Sequence, residues 1–153
     1  MKVEISTLAA GQPDKEKRLI KAVLKPASRY LKIPPRTEIS VVLLSASRMQ
    51  KLNRAYRQKN HPTTTLSFCF RSPFSIKKAF GAQKKDFLGE IFLCLPEIRK
   101  FAHKNNLAYS WSVKYHALHS LLHLLDYSHS RKNEREKMET ISQKILKKED
   151  AVK

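Results

Sequence analysis

The sequence predicts an α/β fold in which a small mixed sheet is packed by about five helices. Short runs rich in β-branched residues alternate with segments whose apolar residues recur at helical spacing. Their order is strand, helix, strand, helix, two adjacent strands and three helices, so one strand pair should form a hairpin. With 153 residues, 41% of them apolar, the chain can bury one core but not two. We therefore expect a single domain over residues 1–153.

The first elements are two strands separated by a helix. Apolar and charged residues alternate over residues 2–5, which predicts a half-buried strand. A helical pattern follows over residues 19–31. Pro26 interrupts this pattern and should kink the helix or end it near Lys25. Residues 38–44 are rich in β-branched side chains and predict the second strand.

The second helix begins after a serine-rich junction at residues 45–47, whose hydroxyl groups suit a helix N-cap. Its periodicity places Met49, Leu52 and Tyr56 on the inner face. The remaining predicted elements are strands over residues 63–70 and 87–95 and helices over residues 96–102, 110–125 and 133–146.

The charge of the chain predicts a polyanionic partner. Lys and Arg number 31 against 13 acidic residues, which gives a formal net charge of +18. The best candidate for a partner attracted by such a positive field is nucleic acid, and the next is an anionic membrane. The alternative is that the organism's proteins are lysine-rich in general. Residues 71–85 interleave five cations with aromatic residues. We interpret this segment as a solvated hairpin connection, with an RNA-contacting lid as the alternative.

The cysteines and the N-terminus predict a cytoplasmic protein. Cys69 and Cys94 lie in apolar, strand-like runs without a CxxC pair, which indicates reduced core residues. The N-terminus has no apolar stretch long enough for a signal peptide or a membrane span. We therefore expect neither secretion nor membrane insertion.

The stretch from His119 to His129 carries the candidate site. His119 and His123 are four residues apart in an apolar run, about 6 Å of helical rise, so both imidazoles project from one face. His129 follows six residues later, where the helix must stop and fold back. Three histidines with an open fourth position are typical of a catalytic zinc site. The alternatives are packed or solvated histidines, or His116 in place of His129 as a ligand.

The motif H-S-L-L-H-L-L-D-Y-S-H over residues 119–129 resembles that of the bacterial YbeY endoribonuclease family, H-G-x-L-H-L-x-G-Y-D-H. Three further segments resemble the family in the same order. L-N-R-A-Y-R and P-T-T-T-L-S-F match its L-N-x-x-Y-R and P-T-D-V-L-S-F, and L-G-E-I matches its L-G-D-I. In this chain these segments begin at Leu52, Pro62 and Leu88.

The resemblance implies a metal-dependent endoribonuclease that cleaves single-stranded RNA, in 16S rRNA 3′-end maturation and ribosome quality control. It implies a mostly parallel sheet and a metalloprotease-like helix that carries the metal ligands. One zinc ion per chain would be held by His119, His123 and His129, with Arg57 and His119 as the catalytic residues. The implied partners of this monomer are ribosomal RNA, the small ribosomal subunit and its assembly factors.

Four of the departures from the family motifs concern the candidate site. Ser120 and Asp126 replace glycines, and we expect residue 126 to adopt a positive φ that Asp accepts less readily than Gly. Ser128 and Thr64 replace aspartates. Asp126 could supply the carboxylate that is lost beside the third ligand. These departures put catalytic rate in question more than the site itself.

Three rival functions follow from the same residues. A metalloprotease is disfavoured because H-E-x-x-H places a glutamate where this chain has Ser120. An RNA-binding ribosome assembly factor with a non-catalytic metal is the main alternative. A structural zinc protein would need a fourth protein ligand such as His116 to close the coordination sphere.

Overall fold

The structure is a computed structural model that describes residues 1–70, 86–128 and 132–146. The predicted order of strands and helices is confirmed within these residues, and so is the α/β fold class. The elements are β1 (Lys2–Leu8), α1 (Asp14–Tyr30), β2 (Glu38–Leu44), α2 (Ala46–Arg57), β3 (Thr65–Cys69), β4 (Phe87–Cys94), α3 (Leu95–Lys104), α4 (Tyr109–Leu124) and α5 (Lys132–Ile145).

The four strands form one mixed sheet in the order β1-β2-β4-β3. The β1–β2 and β2–β4 pairs are parallel, and β3 pairs antiparallel with β4. The mostly parallel sheet and the predicted hairpin are therefore both confirmed. β3 lies at one edge of the sheet, where only one of its sides is hydrogen-bonded to a neighbouring strand.

Alternation along the strands builds a separate core on each face of the sheet. On one face, Ile39, Val41 and Leu43 of β2 join a large buried cluster that includes residues of α1, α3, α4 and α5. On the other face, Val42 and Leu44 pack with Met49 of α2 in a smaller cluster. Consequently α4 and α2 approach the sheet from opposite sides.

Helix α1 continues through Pro26 to Tyr30, so the prediction that it ends near Lys25 is wrong. Pro26 and Ala22 both lie on the exposed side of the helix, where water can satisfy the Ala22 carbonyl that loses its usual hydrogen bond. Val23 and Ala27 are buried on either side of the proline. Their burial stabilises the helix across the interruption.

Helix α2 begins as predicted, because the Ser45 hydroxyl accepts a hydrogen bond from the Arg48 N–H at 3.4 Å. Met49 is fully buried and Leu52 is half-buried, as their spacing predicts. Tyr56 also faces the sheet as predicted, where it contacts Phe68 of β3, but its side chain stays 50% exposed. It lies in the last turn of α2, where the helix reaches the edge strand of the sheet.

Gly89 of β4 sets how closely α4 approaches the sheet. A Cβ atom at this position would lie 2.3 Å from the Phe68 carbonyl oxygen and 2.8 Å from Cδ2 of Leu124. Both distances are far below van der Waals contact, so no larger residue fits without displacing β3 or α4. The glycine of the L-G-E-I segment is therefore required by packing.

Both cysteines are free thiols in the structure, with Cys94 buried and Cys69 half-buried. Burial raises the pKa of the Cys94 thiol. Among the described helices, none combines the length and the apolar composition that crossing a bilayer requires.

Candidate metal centre

His119 and His123 point their ring nitrogens at each other from one face of α4. Their Nε2 atoms are 2.9 Å apart, and the ring centroids are 4.5 Å apart at an interplanar angle of 81°. The prediction that both imidazoles project from one helix face is confirmed. Such a pair is compatible with an N–H donating to the other nitrogen, or with both lone pairs directed at one cation.

The chain fixes which nitrogen of His123 could bind a metal. Nδ1 of His123 lies 2.9 Å from the Tyr127 carbonyl oxygen. A carbonyl oxygen can only accept, so Nδ1 carries the proton and Nε2 is the nitrogen with a lone pair. Metal-binding histidines are commonly oriented in this way by a backbone carbonyl.

The end of α4 brings the Tyr127 carbonyl into this position. The Asp126 N–H donates to the His123 carbonyl and the Tyr127 N–H donates to the Leu122 carbonyl, both at 3.1 Å. This is the Schellman pattern of hydrogen bonds at a helix C-terminus. Asp126 has a φ of 69°, which confirms the positive φ predicted for this position.

A series of stacked rings holds His119 along the length of α4. Trp111 stacks on Tyr115 with centroids 5.0 Å apart, and Tyr115 stacks on His119 with centroids 5.6 Å apart. Trp111, Tyr115 and His119 follow one another at intervals of four residues, and this spacing is the signal in the sequence from which the stack could have been predicted. Burial raises the pKa of the Tyr115 hydroxyl, so the ring stays neutral at physiological pH.

His116, the alternative third ligand, is buried in the core. It is only 5% exposed, and its Nδ1 donates to the Ser112 carbonyl at 2.7 Å. Its ring packs edge-on against Phe101 at a centroid distance of 4.8 Å. Burial lowers the pKa of His116, because the charged imidazolium is disfavoured there.

The predicted third ligand, His129, lies outside the described residues. In the described part of the chain, no group of three His, Cys, Asp or Glu side chains is placed to hold a metal ion. The two described histidines nevertheless fit a shared ion. Two nitrogens on one tetrahedral zinc at its usual bond length lie roughly 3.3 Å apart, close to the 2.9 Å between these Nε2 atoms.

Arg57 is the last residue of α2, and its side chain is exposed. Gln58 follows it with a φ of 57° and ends the helix. α2 and α4 pack on opposite faces of the sheet, and Arg57 lies at the end of α2 that reaches β3. Among the described residues, no contact is recorded between Arg57 and the histidine pair. The basic segment 71–85 lies outside the described residues.

The comparisons with known proteins agree with this architecture. The family model described as endoribonuclease YbeY matches residues 4–150. The chain belongs to the endoribonuclease YbeY family.

Several relatives carry the same name. One from Phytoplasma mali is 36% identical over 118 residues, covering 77% of this chain and 72% of the relative. One from Ehrlichia chaffeensis is 35% identical over 136 residues, covering 88% and 82%. The solution structure of TM1509 from Thermotoga maritima shares the fold with a TM-score of 0.55 at 21% identity, covering 94% of this chain and 88% of that one.

Ser120, which replaces a glycine of the YbeY motif, connects the histidine helix to the edge strand. Its hydroxyl donates to the His116 carbonyl at 2.8 Å, so it can accept from the Thr65 hydroxyl, which lies 2.5 Å away. Both hydroxyl groups are therefore satisfied in a buried position. This departure from the YbeY motif adds a link between α4 and β3.

Ser128, which replaces an aspartate of the YbeY motif, has a carboxylate beside it. Its hydroxyl donates to Oε2 of Glu134 at 2.5 Å. The proposed substitute, Asp126, is exposed. Glu134 of α5 thus places a carboxylate next to residue 128, where the family motif has an aspartate. The spacing of these two residues in the sequence did not predict this contact.

Two other YbeY motif positions have structural roles. The buried Asn53 amide of L-N-R-A-Y-R donates to the His61 carbonyl at 2.8 Å, which ties the following turn to α2. Thr64, which replaces the aspartate of P-T-D-V-L-S-F, accepts a hydrogen bond from the Cys94 N–H through its carbonyl at 2.9 Å. Its backbone thereby extends the pairing of β3 with β4.

Proposed function

We propose that this chain is a zinc-dependent endoribonuclease that cleaves single-stranded RNA in 16S rRNA 3′-end maturation and ribosome quality control. Family membership supports the endoribonuclease activity and RNA as its substrate. The observation that carries the metal site is the 2.9 Å approach of two Nε2 atoms, one of them on a ring whose tautomer is fixed by the Tyr127 carbonyl.

The proposed ligands are His119, His123 and His129. Bound zinc would act as a Lewis acid on the scissile phosphate and would lower the pKa of its bound water. The Tyr127 carbonyl keeps Nε2 of His123 deprotonated, and the Tyr115 ring holds the His119 imidazole in place. We assign Arg57 to binding of a phosphate oxygen, for which a planar bidentate cation is suited.

The position of β3 supports the preference for unpaired RNA. A substrate that contacts both α2 and the histidine pair has to pass around this edge strand, since the two helices pack on opposite faces of the sheet. A flexible single strand can bend over such an edge and splay its bases, whereas a duplex presents a fixed shape.

A peptidase is not supported by the residues beside the ligands. In metalloproteases with a related helix, the glutamate after the first histidine is the general base. Here that position is Ser120, whose hydroxyl is engaged with Thr65 and with the His116 carbonyl. Peptide hydrolysis is therefore the outcome that the proposal excludes.

A non-catalytic RNA-binding assembly factor remains the second candidate. It is favoured by the serine at position 128, because the YbeY motif has an aspartate there, beside the third histidine. In that case changing Arg57 or His119 to alanine would leave RNA affinity and ribosome association intact, with no cleavage to lose.

Cleavage assays with matched substrates test the proposal. The zinc-loaded protein is incubated with an unpaired RNA, with the same RNA annealed to its complement, and with casein. We expect chelator-sensitive cleavage of the unpaired RNA alone, and its loss in His123→Ala. His103→Ala, a change of an exposed histidine on α3, is the control and should cleave normally. Cleavage of casein, or undiminished RNA cleavage by His123→Ala, would overturn the proposal.

A further inference from the structure

Helix α2 and the turn after it form a cationic surface with no acidic residue. We define the α2 cationic surface as Arg48, Lys51, Arg54, Arg57 and Lys59, all of them exposed. Residues 39–85 of the sequence contain no Asp or Glu. Within the described residues, the recorded ion pairs join cations of β1, α1 and α3 and of the segment before β2 to acids, and none involves this surface.

Tyr56 is a half-exposed ring beside Arg57 in the last turn of α2, where this surface meets the edge strand β3. The Tyr56 ring contacts the Phe68 ring at a centroid distance of 5.2 Å and an interplanar angle of 64°, and Phe68 packs in turn against Phe92 at 5.7 Å. These contacts fix the orientation of the ring. Among the described residues, Phe68 is the one ring recorded against Tyr56, so a ring face remains available for stacking.

The other half-exposed tyrosine has different surroundings. Tyr30 of α1 is 47% exposed, nearly the same fraction as Tyr56 at 50%. The ammonium group of Lys144 lies over its ring at 5.8 Å from the centroid. A side chain of α5 thus already occupies one face of Tyr30. Exposure alone does not distinguish the two tyrosines, but their neighbours do.

We infer that the α2 cationic surface binds unpaired RNA, with a base stacked on Tyr56 and the cations against the phosphates. Basic grooves with an aromatic ring are the usual means of binding single strands, because every base offers a π-face and every nucleotide a phosphate. A membrane is a poorer partner, since a surface helix needs a continuous apolar face to insert and α2 exposes one aromatic ring.

This surface lies one strand away from the proposed zinc site. On one face of β3, Phe68 contacts Tyr56 of α2. On the opposite face, Thr65 contacts Ser120 of α4, the residue that follows His119. RNA bound on α2 would therefore reach the imidazoles by passing over β3, the last strand in the sheet order. The inference rests on the proposed RNA substrate and assigns part of its binding path.

Binding without cleavage tests the stacking contact. Fluorescence anisotropy is measured in EDTA with a short unpaired RNA and with the same strand annealed to its complement. We expect Tyr56→Ala to weaken binding of the single strand about tenfold and to leave duplex binding unchanged, because only unpaired bases can stack. Tyr56→Phe should bind like the wild type, and Tyr30→Ala is the matched control that should also be unchanged.

The phosphate contacts have a different signature. Arg54→Ala should weaken single-strand and duplex binding alike and reduce the slope of log affinity against log salt by about one. Thermal melting of each variant establishes that it is folded. Equal affinity of Tyr56→Ala and wild type for the single strand would overturn the inference, as would tighter binding to anionic vesicles or to an acidic peptide than to RNA.

The two proposals fail separately in these experiments. RNA cleavage by the wild type with an unchanged affinity of Tyr56→Ala would refute the binding surface and leave the nuclease standing. Tyr56-dependent RNA binding without any cleavage would refute the nuclease and leave the binding surface standing.

Discussion

Helices α4 and α2 reach the edge strand β3 from opposite faces, and they are built in opposite ways. In α4, two buried polar groups are paired: the Ser120 hydroxyl with Thr65 and the His116 ring with the Ser112 carbonyl. In α2, the cations are exposed and the sequence around them contains no acid. The difference indicates that α4 fixes a small set of atoms for chemistry, whereas α2 offers a charged surface for binding.

The largest effect that would disturb both regions is expected at Gly89. Gly89→Ala places a methyl group 2.3 Å from the Phe68 carbonyl oxygen and 2.8 Å from Leu124 Cδ2, so β3 or α4 must shift. We expect the free energy of unfolding to fall by about 3 kcal/mol. Urea unfolding followed by circular dichroism measures it.

A matched control for this change is Ala55→Ser, which alters an exposed position of α2 and should change stability by less than about 0.5 kcal/mol. If Gly89→Ala were as stable as the wild type, the tight contact between α4 and β3 would not be what positions the histidine helix.

The next largest effects are expected from replacing one tyrosine on each helix, Tyr115 on α4 and Tyr56 on α2. Tyr115→Leu removes the ring that stacks on His119 at 5.6 Å, so the imidazole loses a support for its orientation. We expect zinc affinity to fall about tenfold, the lower end for loss of a group that orients a metal ligand. RNA binding in EDTA should be unchanged.

Tyr56→Ala should give the reverse result, with zinc affinity retained and single-strand binding weakened. Competition with a chromophoric chelator measures the zinc affinity of both variants. If Tyr115→Leu binds zinc like the wild type, the proposed division of roles, in which α4 holds the metal and α2 binds RNA, would be contradicted.

The smallest effect concerns the turn that ends α4. Asp126 has a φ of 69°, a conformation that glycine adopts without strain. Asp126→Gly should therefore stabilise the fold by about 0.5–1 kcal/mol, raising the melting temperature by about 1–4 °C. Differential scanning calorimetry measures the change. A lower melting temperature would show that the Asp126 side chain stabilises the fold by more than the positive φ of its backbone destabilises it.

Local patterns predicted much of the fold and the conformation of the turn. The β-branched run at Glu38–Leu44 is a strand with those bounds, and Ser45 caps α2 as its hydroxyl group predicts. The positive φ of Asp126 followed from the glycine that stands there in the family motif. These features depend on residues close together in sequence, and the sequence is sufficient for them.

Features that depend on distant residues were not predictable in this way. Burial of Val23 and Ala27 against the core keeps α1 helical through Pro26. Tyr56 follows the inner-face periodicity, but its place at the edge of the sheet leaves it half exposed. His116 has the spacing of a ligand, yet packing against Phe101 of α3 places it in the core.

The most direct test of the central claim is the zinc content of the purified protein, measured by elemental analysis after removal of loosely bound metal. We predict one zinc ion per chain in the wild type and in the control His103→Ala, and almost none in folded His123→Ala. Zinc retained at full occupancy by His123→Ala, or no zinc in a wild type equilibrated with it, would contradict a metal centre built on His119 and His123.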